Sequence, residues 1–384
     1  MKGKIGLSLA FTGTNYGALW QAYATQQKIQ EFGFETEIIN YQKAKKHEFV
    51  RCPEAYYGHV LEIINERRGK KNDVNNAIDN IQKRNSILRK NNADSFREKR
   101  LSNIVTIKGL DNLRDYCSKN YSAVLVGSDQ LWLPMVSFTY FRTLRFAPEG
   151  MKRISYATSL GVTEYPRYTW RKAKDFWDSI DYLSVREQQG ADIIYKVTGR
   201  KPHVVLDPTY LFTKQEWEVH VPKQEVVKRG YVLCFILGDN RSMKDIARRY
   251  AHDNDLRLVC ILSNEVSTND TEYDDEVLIG QTPEAFINLI RNAECVFTDS
   301  FHGFAFSIIN EKQVFVTYRI RMGTPSRNSR IDNIVNMFNV QHRLISEPQK
   351  GLPNVRPIDY EKVNRIIEEK RLYSLNFLEG ALNG

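Results

Sequence analysis

Two successive series of short apolar runs alternating with helical stretches dominate this sequence, and such an alternation packs stably only as parallel sheets covered by helices. In the first series, residues 4–10 read as a buried strand, with Ile5, Leu7 and Leu9 among small residues and a Gly/Thr/Asn cluster stopping the run. Residues 18–31 read as a helix closed by Gly33, and residues 36–41 as the next strand, which makes one β-α-β unit. Strands are then expected at 122–127, 153–158, 182–187 and 203–208, with a helix around TWRKAKDFWDSI and another through Ala191. The second series opens with YVLCFIL at 231–237 and continues through LRLVCIL, CVFTDS and QVFVTYR. The intervening helices include TPEAFINLIRNAE, which Thr282 caps and Pro283 starts. The expected architecture is α/β, two doubly wound domains facing a cleft, over residues 1–212 and 230–348. Residues 213–229 are the expected linker, and 349–384 a tail with an amphipathic helix over 359–375. Sheets of this kind take ligands outside the carboxyl ends of their strands.

Residues 42–118 interrupt the first series. They are rich in Lys, Arg and Asn and carry only weak helical periodicity, so they read as a helical insertion. Over all 384 residues Lys+Arg number 55 and Asp+Glu 46, a net charge of +9 that matters for partners only where it is clustered. The insertion is such a cluster. It leaves room for a peripheral membrane contact, or for a basic cap over the acceptor side of the cleft carried by Lys70, Lys71, Arg89 and Lys90. Its Tyr56 and Tyr57 stand apart from the charges, which argues against a nucleic-acid surface. The five cysteines are far apart with no CxxC pair, and Cys234, Cys260 and Cys295 lie in apolar runs, so reduced core thiols are expected. With no leader-like cleavage site and no apolar stretch of membrane-spanning length, the expectation is a cytoplasmic enzyme, at most touching the inner membrane face.

DSFHG at 299–303 is the most informative short pattern. It places His302 and Gly303 where a strand gives way to a helix, beside free N–H groups that favour an anion. Ser300 or Asp299 as a plain helix cap, with His302 a satisfied core histidine, explains the same letters. Arg319 and Arg321 leave the last strand into a loop that carries Ser329 and Arg330, a candidate clamp for carboxylate or phosphate, or a solvated basic loop. Asn15, Tyr16 and Gly17 open the first helix, and Ser128 and Asp129 follow the strand SAVLVG. Arg186 beside Glu187 reads equally as a structural ion pair or a ligand contact, and Asp207-Pro208 reads as a turn. The remaining histidines lack ligand spacing, so no metal is expected. GxSxG is absent, which disfavours a hydrolase triad.

GSDQLW at 127–132, ISYATSLG at 154–161, SVRE at 184–187, LDPTYL at 206–211 and DSFHGFAFSIIN at 299–310 occur in this order after NYGALWQAYATQQ. Together they resemble the polysaccharide pyruvyltransferase family over nearly the whole chain. The resemblance implies two Rossmann-like domains in a GT-B-like arrangement. It also implies transfer of pyruvate from phosphoenolpyruvate to two hydroxyls of a sugar, as a ketal, in exopolysaccharide, capsule or cell-wall glycan synthesis. No cofactor beyond phosphoenolpyruvate as donor is implied, and the acceptor is a nucleotide- or lipid-linked sugar. His302 matches the family's donor-handling histidine. Ser300, Gly303, Arg319, Arg321 and Arg186 are the expected donor contacts, with Arg319 and Arg321 where some members place a lysine. Asp129 is the candidate base, and Asn15, Tyr16, Gly17, Ser128, Ser329 and Arg330 are the expected acceptor contacts. The alternative is a GT-B glycosyltransferase using a nucleotide-sugar donor.

Overall fold

The computed structural model describes residues 2–43, 76–238, 240–263, 274–319, 328–353 and 356–384. β1 (Lys2–Ser8), α1 (Tyr16–Glu31) and β2 (Phe34–Gln42) form the expected opening unit. After α2 (Asn76–Arg100) come β3 (Ile104–Lys108), α3 (Leu110–Asn120), β4 (Ala123–Val126), β5 (Lys152–Ser155) and α4 (Trp170–Asp178). β6 (Ser184–Val185), α5 (Gln188–Thr198), β7 (His203–Val204) and α6 (Lys214–His220) complete the first half. The second half runs β8 (Tyr231–Phe235), α7 (Arg241–Asp253), β9 (Arg257–Ile261), β10 (Glu276–Leu278), α8 (Pro283–Asn292), β11 (Cys295–Thr298), α9 (Phe301–Ile309) and β12 (Gln313–Thr317). It closes with α10 (Ser329–Met337), β13 (Leu344–Ile345) and α11 (Tyr360–Asn383).

Two parallel sheets result, with strand orders β3-β2-β1-β4-β5 and β10-β9-β8-β11-β12-β13. Their central strands are continuous apolar runs because both faces are covered; every residue of β4, β8 and β11 is buried. The helix starts follow the sequence. Asn15 Oδ1 accepts from the Ala18 N–H at 3.2 Å, and Thr282 Oγ1 accepts from Ala285 N–H at 3.0 Å with Pro283 in the first turn. One apolar cluster, with Leu7, Trp20, Trp217, Phe286 and Phe304 among its members, spans both halves, and the Trp20 indole donates to Pro283 O at 2.9 Å. The halves therefore share a core.

Several expectations are revised. The stretch 42–118 is not wholly helical: β3 is the edge strand of the first sheet, paired with β2 from Ile38↔Ile104 to Gln42↔Lys108. Burial explains the miss, since β3 is mostly exposed and its apolar signal is short. Residues 44–75, with Lys70 and Lys71, lie outside the described residues. The described helix α2 is a strut between the two halves. Asn85 donates to Leu262 O at 3.3 Å and accepts from Gly280 N–H at 2.8 Å, while Arg97 donates to Phe11 O and Gly13 O, both at 2.9 Å. The expected linker holds α6, started by a reciprocal Thr213–Glu216 capping box and anchored by a wholly buried Trp217. β6 and β7 form a two-residue pair of their own, bridged to the end of the first sheet at Ile154↔Tyr182 and Thr158↔Val185. The tail helix is longer than read. α11 returns to the first half, where Ser374 Oγ accepts from Leu206 N–H at 2.9 Å and Lys152 Nζ donates to Leu382 O at 3.0 Å.

Cys117, Cys234, Cys260 and Cys295 are buried free thiols, and burial pushes those of Cys117 and Cys295 up to about 12. Cys52 lies outside the described residues. Among the described residues, no helix is long and apolar enough to cross a membrane.

Candidate active site

The site forms where chain ends from both sheets meet. β11 leaves the second sheet at Thr298, and Asp299, fully buried, straps the turn to the end of β8 by accepting from Leu237 N–H and Gly238 N–H, each at 2.7 Å. Ser300 caps α9 by accepting from Gly303 N–H at 3.2 Å, and a Cβ on Gly303 would lie 2.7 Å from Thr298 Oγ1. The cap reading of Ser300 is thus met. With the turn pinned on both sides, His302 is held in the first turn of α9, only 7% exposed.

The first half of the chain supplies what faces it. Asp207 starts the short helical turn Pro208–Leu211, as the turn reading expects, and it is also the hub of the site. Its Oδ1 accepts from Thr209 N–H at 3.1 Å and Thr209 Oγ1 at 2.8 Å. Its Oδ2 accepts from Ser128 Oγ at 2.7 Å and Arg186 Nη1 at 2.8 Å, and lies 3.7 Å from His302 Nε2. Burial alone would raise this carboxyl, but His302 and Arg186 outweigh it and hold the group well below the usual carboxylate range. LDPTYL carried the signal: an acid just beyond the carboxyl end of a short strand, capping the turn that follows.

Arg186 lies with its guanidinium 4.0 Å from the Phe301 ring centroid and Nε 3.8 Å from Glu187 Oε2. Burial works against its charge, and Asp207, Glu187 and Asp129 more than restore it. The ion-pair reading of Arg186-Glu187 is met. Glu187 Oε1 accepts from Ser159 Oγ at 2.8 Å and Leu160 N–H at 2.9 Å, while Arg186 Nη2 is buried with no partner. Arg330, in the first turn of α10, is pushed down to about 9, first by burial and then by the positive charges of Arg319 and Arg186; its Nε is buried without a partner. Arg319 Nε is 3.7 Å from Asp299 Oδ2, and its backbone N–H donates to Asn328 Oδ1 at 3.0 Å. Arg321 lies outside the described residues.

The start of α1 completes the site. A Cβ at Gly17 would overlap the His302 ring, so these two helix starts touch. Asn15 is exposed and committed to its cap. Tyr16 is buried against Phe286, ring centroids 5.0 Å apart, with its hydroxyl unpartnered. Arg89 of α2, singled out in sequence only as part of a basic cap, lies 4.5 Å from the Tyr16 ring centroid and donates from Nη2 to Thr14 O at 3.1 Å. Asp129 has φ +80°, a left-handed conformation that costs energy outside glycine, and its Oδ1 accepts from the next N–H at 2.8 Å. Ser329, half-buried, starts α10 beside Arg330.

Asp207 and Asp299 carry hydrogen bonds on both carboxylate oxygens, and Glu187 Oε2 is buried without one, while the unpartnered donors are more numerous. Asp207 takes four hydrogen bonds and Asp299 two from backbone, yet Arg186 Nη2, Arg330 Nε and His302 Nε2 have none. Buried donors in surplus call for a ligand rich in acceptors, which means an anion. Among the described residues no three of His, Cys, Asp and Glu gather as a metal site.

Such a centre between two parallel sheets belongs to an α/β protein of the GT-B fold. Two similar solved structures are UDP-GlcNAc 2-epimerases. The one from Neisseria meningitidis, bound to UDP-GlcNAc, has 13% identity and a TM-score of 0.50 over 98% of this chain and 99% of its own. The one from Methanocaldococcus jannaschii has 11% identity and a TM-score of 0.51 over 97% of this chain and 93% of its own. At these identities the likeness establishes fold alone. No curated protein sequence matches. The family model for polysaccharide pyruvyl transferase matches residues 15–319, and the chain belongs to that family of transferases.

Proposed function

We propose that this protein transfers pyruvate from phosphoenolpyruvate to two hydroxyls of one sugar residue, forming a ketal and releasing phosphate. The observation that carries this reading is the surplus of buried donors around His302, namely Arg186 Nη2, Arg330 Nε and His302 Nε2, in a chain of this family. Phosphoenolpyruvate carries a carboxylate and a phosphate, each able to accept from a guanidinium. Arg186 and Arg330, with Arg319, bind these groups in the proposal, and the Ser300–Gly303 turn keeps the imidazole against the enol carbon.

His302 gives a proton to C3 of phosphoenolpyruvate as the first sugar hydroxyl oxygen bonds to C2 and loses its own proton. The second hydroxyl then bonds to C2 as the C2–O bond to phosphate breaks. One proton is delivered to carbon and two leave the sugar oxygens, the balance departing with inorganic phosphate. Asp129 is assigned as the base on the acceptor side, and Asp207 as the group that orients the imidazole. The guanidinium groups stabilise the charge that moves from the enol to the departing phosphate. The glycan pathways expected from the sequence, in exopolysaccharide, capsule or cell wall, supply such acceptors.

The test is incubation with phosphoenolpyruvate and a panel of nucleotide- and lipid-linked sugars, following phosphate release and the mass of an added pyruvyl group. No release with any acceptor, together with thermal stabilisation by nucleotide sugars but not by phosphoenolpyruvate, would replace the donor with a nucleotide sugar.

A further inference from the structure

The buried guanidinium groups of the site come from both halves of the chain: Arg186 follows β6 in the first, and Arg330 lies in the first turn of α10 in the second. The Arg186 charge is among those that push Arg330 down, so the two groups are near enough to repel. That repulsion acts to drive α10 away from the turn that carries Arg186. Helix α10 is fixed to its own half at its start, where the Tyr318 hydroxyl donates to Asp332 Oδ1 and Asn328 Oδ1 accepts from Arg319 N–H at 3.0 Å. Asn333 follows Arg330 at helical i, i+3 spacing, which puts both on one side of α10, and it is Asn333 that reaches the first half.

The amide of Asn333 brackets the turn at Arg186-Glu187. Its Oδ1 accepts from Gln188 N–H at 3.1 Å, and its Nδ2 donates to Arg186 O at 3.4 Å. Both partners are backbone groups, so the grip does not depend on the Gln188 side chain, which donates to Asp192 Oδ1 within α5 at 2.8 Å. From its own half the same turn is held by Glu187, on Ser159 Oγ and Leu160 N–H. A neutral amide thus ties the helix that carries one guanidinium to the backbone that carries the other. An anion lying between Arg186 and Arg330 would supply that attraction itself, so the tie counts most before the ligand arrives. Preorganisation of this kind lowers the cost of binding and leaves the bound arrangement as it was.

We propose that Asn333 is a positioning residue that holds Arg330 and Arg186 in register for the anion before it binds. The proposal rests on the reading of these arginines as donor contacts. Calorimetry with phosphoenolpyruvate, inorganic phosphate and UDP-glucose separates the two: binding of UDP-glucose without phosphoenolpyruvate would replace the donor, and the variants are then read on UDP-glucose. Asn333→Ala should weaken the tightest-binding anion by roughly fivefold or more. Gln188→Pro removes the N–H that Asn333 accepts from and should do the same. Proline is tolerated there, because Gln188 opens α5 and Glu187 before it is extended, with φ −126° and ψ 142°. This variant carries the test if Asn333→Ala does not fold. The double variant should lose no more than either alone, as expected when both changes break one contact. Gln188→Ala, which keeps the N–H, should bind as wild type does. At saturating phosphoenolpyruvate, kcat should stay within about twofold of wild type while KM rises, a split that general loosening of the fold would not produce. Unchanged affinity in both single variants, additive losses, a fall in kcat that matches the loss of affinity, or no anion bound by the wild type would overturn the assignment.

Discussion

Gly17 and His302 touch across the two halves of the molecule: the first turn of α1 lies so close to the imidazole on α9 that no side chain fits between them. The histidine ring is therefore positioned by backbone from the other sheet. Gly17→Ala should displace it, and a displacement of about 1 Å can cost on the order of 100-fold in rate. Phosphate release should fall by at least tenfold while the melting temperature drops by only a few degrees. Wild-type turnover in this variant would show that ring placement does not depend on the contact.

His302→Ala should abolish phosphate release and leave the fold intact, because the ring is held in a site rather than in the centre of an apolar cluster. Release of phosphate at the wild-type rate would remove His302 from the reaction.

Arg330→Gln should raise the KM for phosphoenolpyruvate by roughly 10-fold or more if a charged hydrogen bond worth about 1.5 to 3 kcal/mol is lost. The same change relieves a buried cation that feels two neighbouring arginines, so the variant should melt no lower than wild type. An unchanged KM together with a lower melting temperature would mark Arg330 as structural.

Asp207→Asn removes the nearest counter-charge of the buried Arg186 and leaves it Glu187 at 3.8 Å, a change that costs up to about 3–5 kcal/mol. The native carboxyl titrates well below an unfolded aspartate, which loses its proton near pH 3.9. Its stabilising contribution is thus fully present above about pH 4 and is withdrawn progressively as pH falls below that, because the unfolded state takes up the proton first. The variant should be less stable at pH 7 and lose less on going from pH 4 to pH 2, measured by urea denaturation. Parallel pH profiles for the two proteins would contradict this.

The sheets were legible because their strands are uninterrupted apolar runs, of which AVLV and CVFT are the plainest. β3, β10 and β13 were not read. Each is short and only partly buried, and pairing with a neighbour rather than its own pattern makes it a strand. The site was legible where helix starts announce it, at DSFHG and at Asn15. Asp207 escaped because Asp-Pro is also good turn chemistry, and only the distant partners Ser128, Arg186 and His302 reveal it as a hub. Arg89 was singled out only for its charge. Its contact with Tyr16 depends on how α2 returns to the sheets, which no local pattern encodes.

Helix α11 has a consequence for biosynthesis. Its partners Leu206, Tyr210 and Lys152 belong to the first half of the chain, yet its own residues follow the whole second sheet. A nascent chain that has emerged only as far as β7 therefore leaves the Leu206 amide without the Ser374 hydroxyl and the Tyr156 ring without Phe377 beside it. Domains made early often fold while synthesis continues. Here the first half waits for the late helix, and truncation before residue 360 should yield a protein that aggregates rather than an autonomous amino-terminal domain.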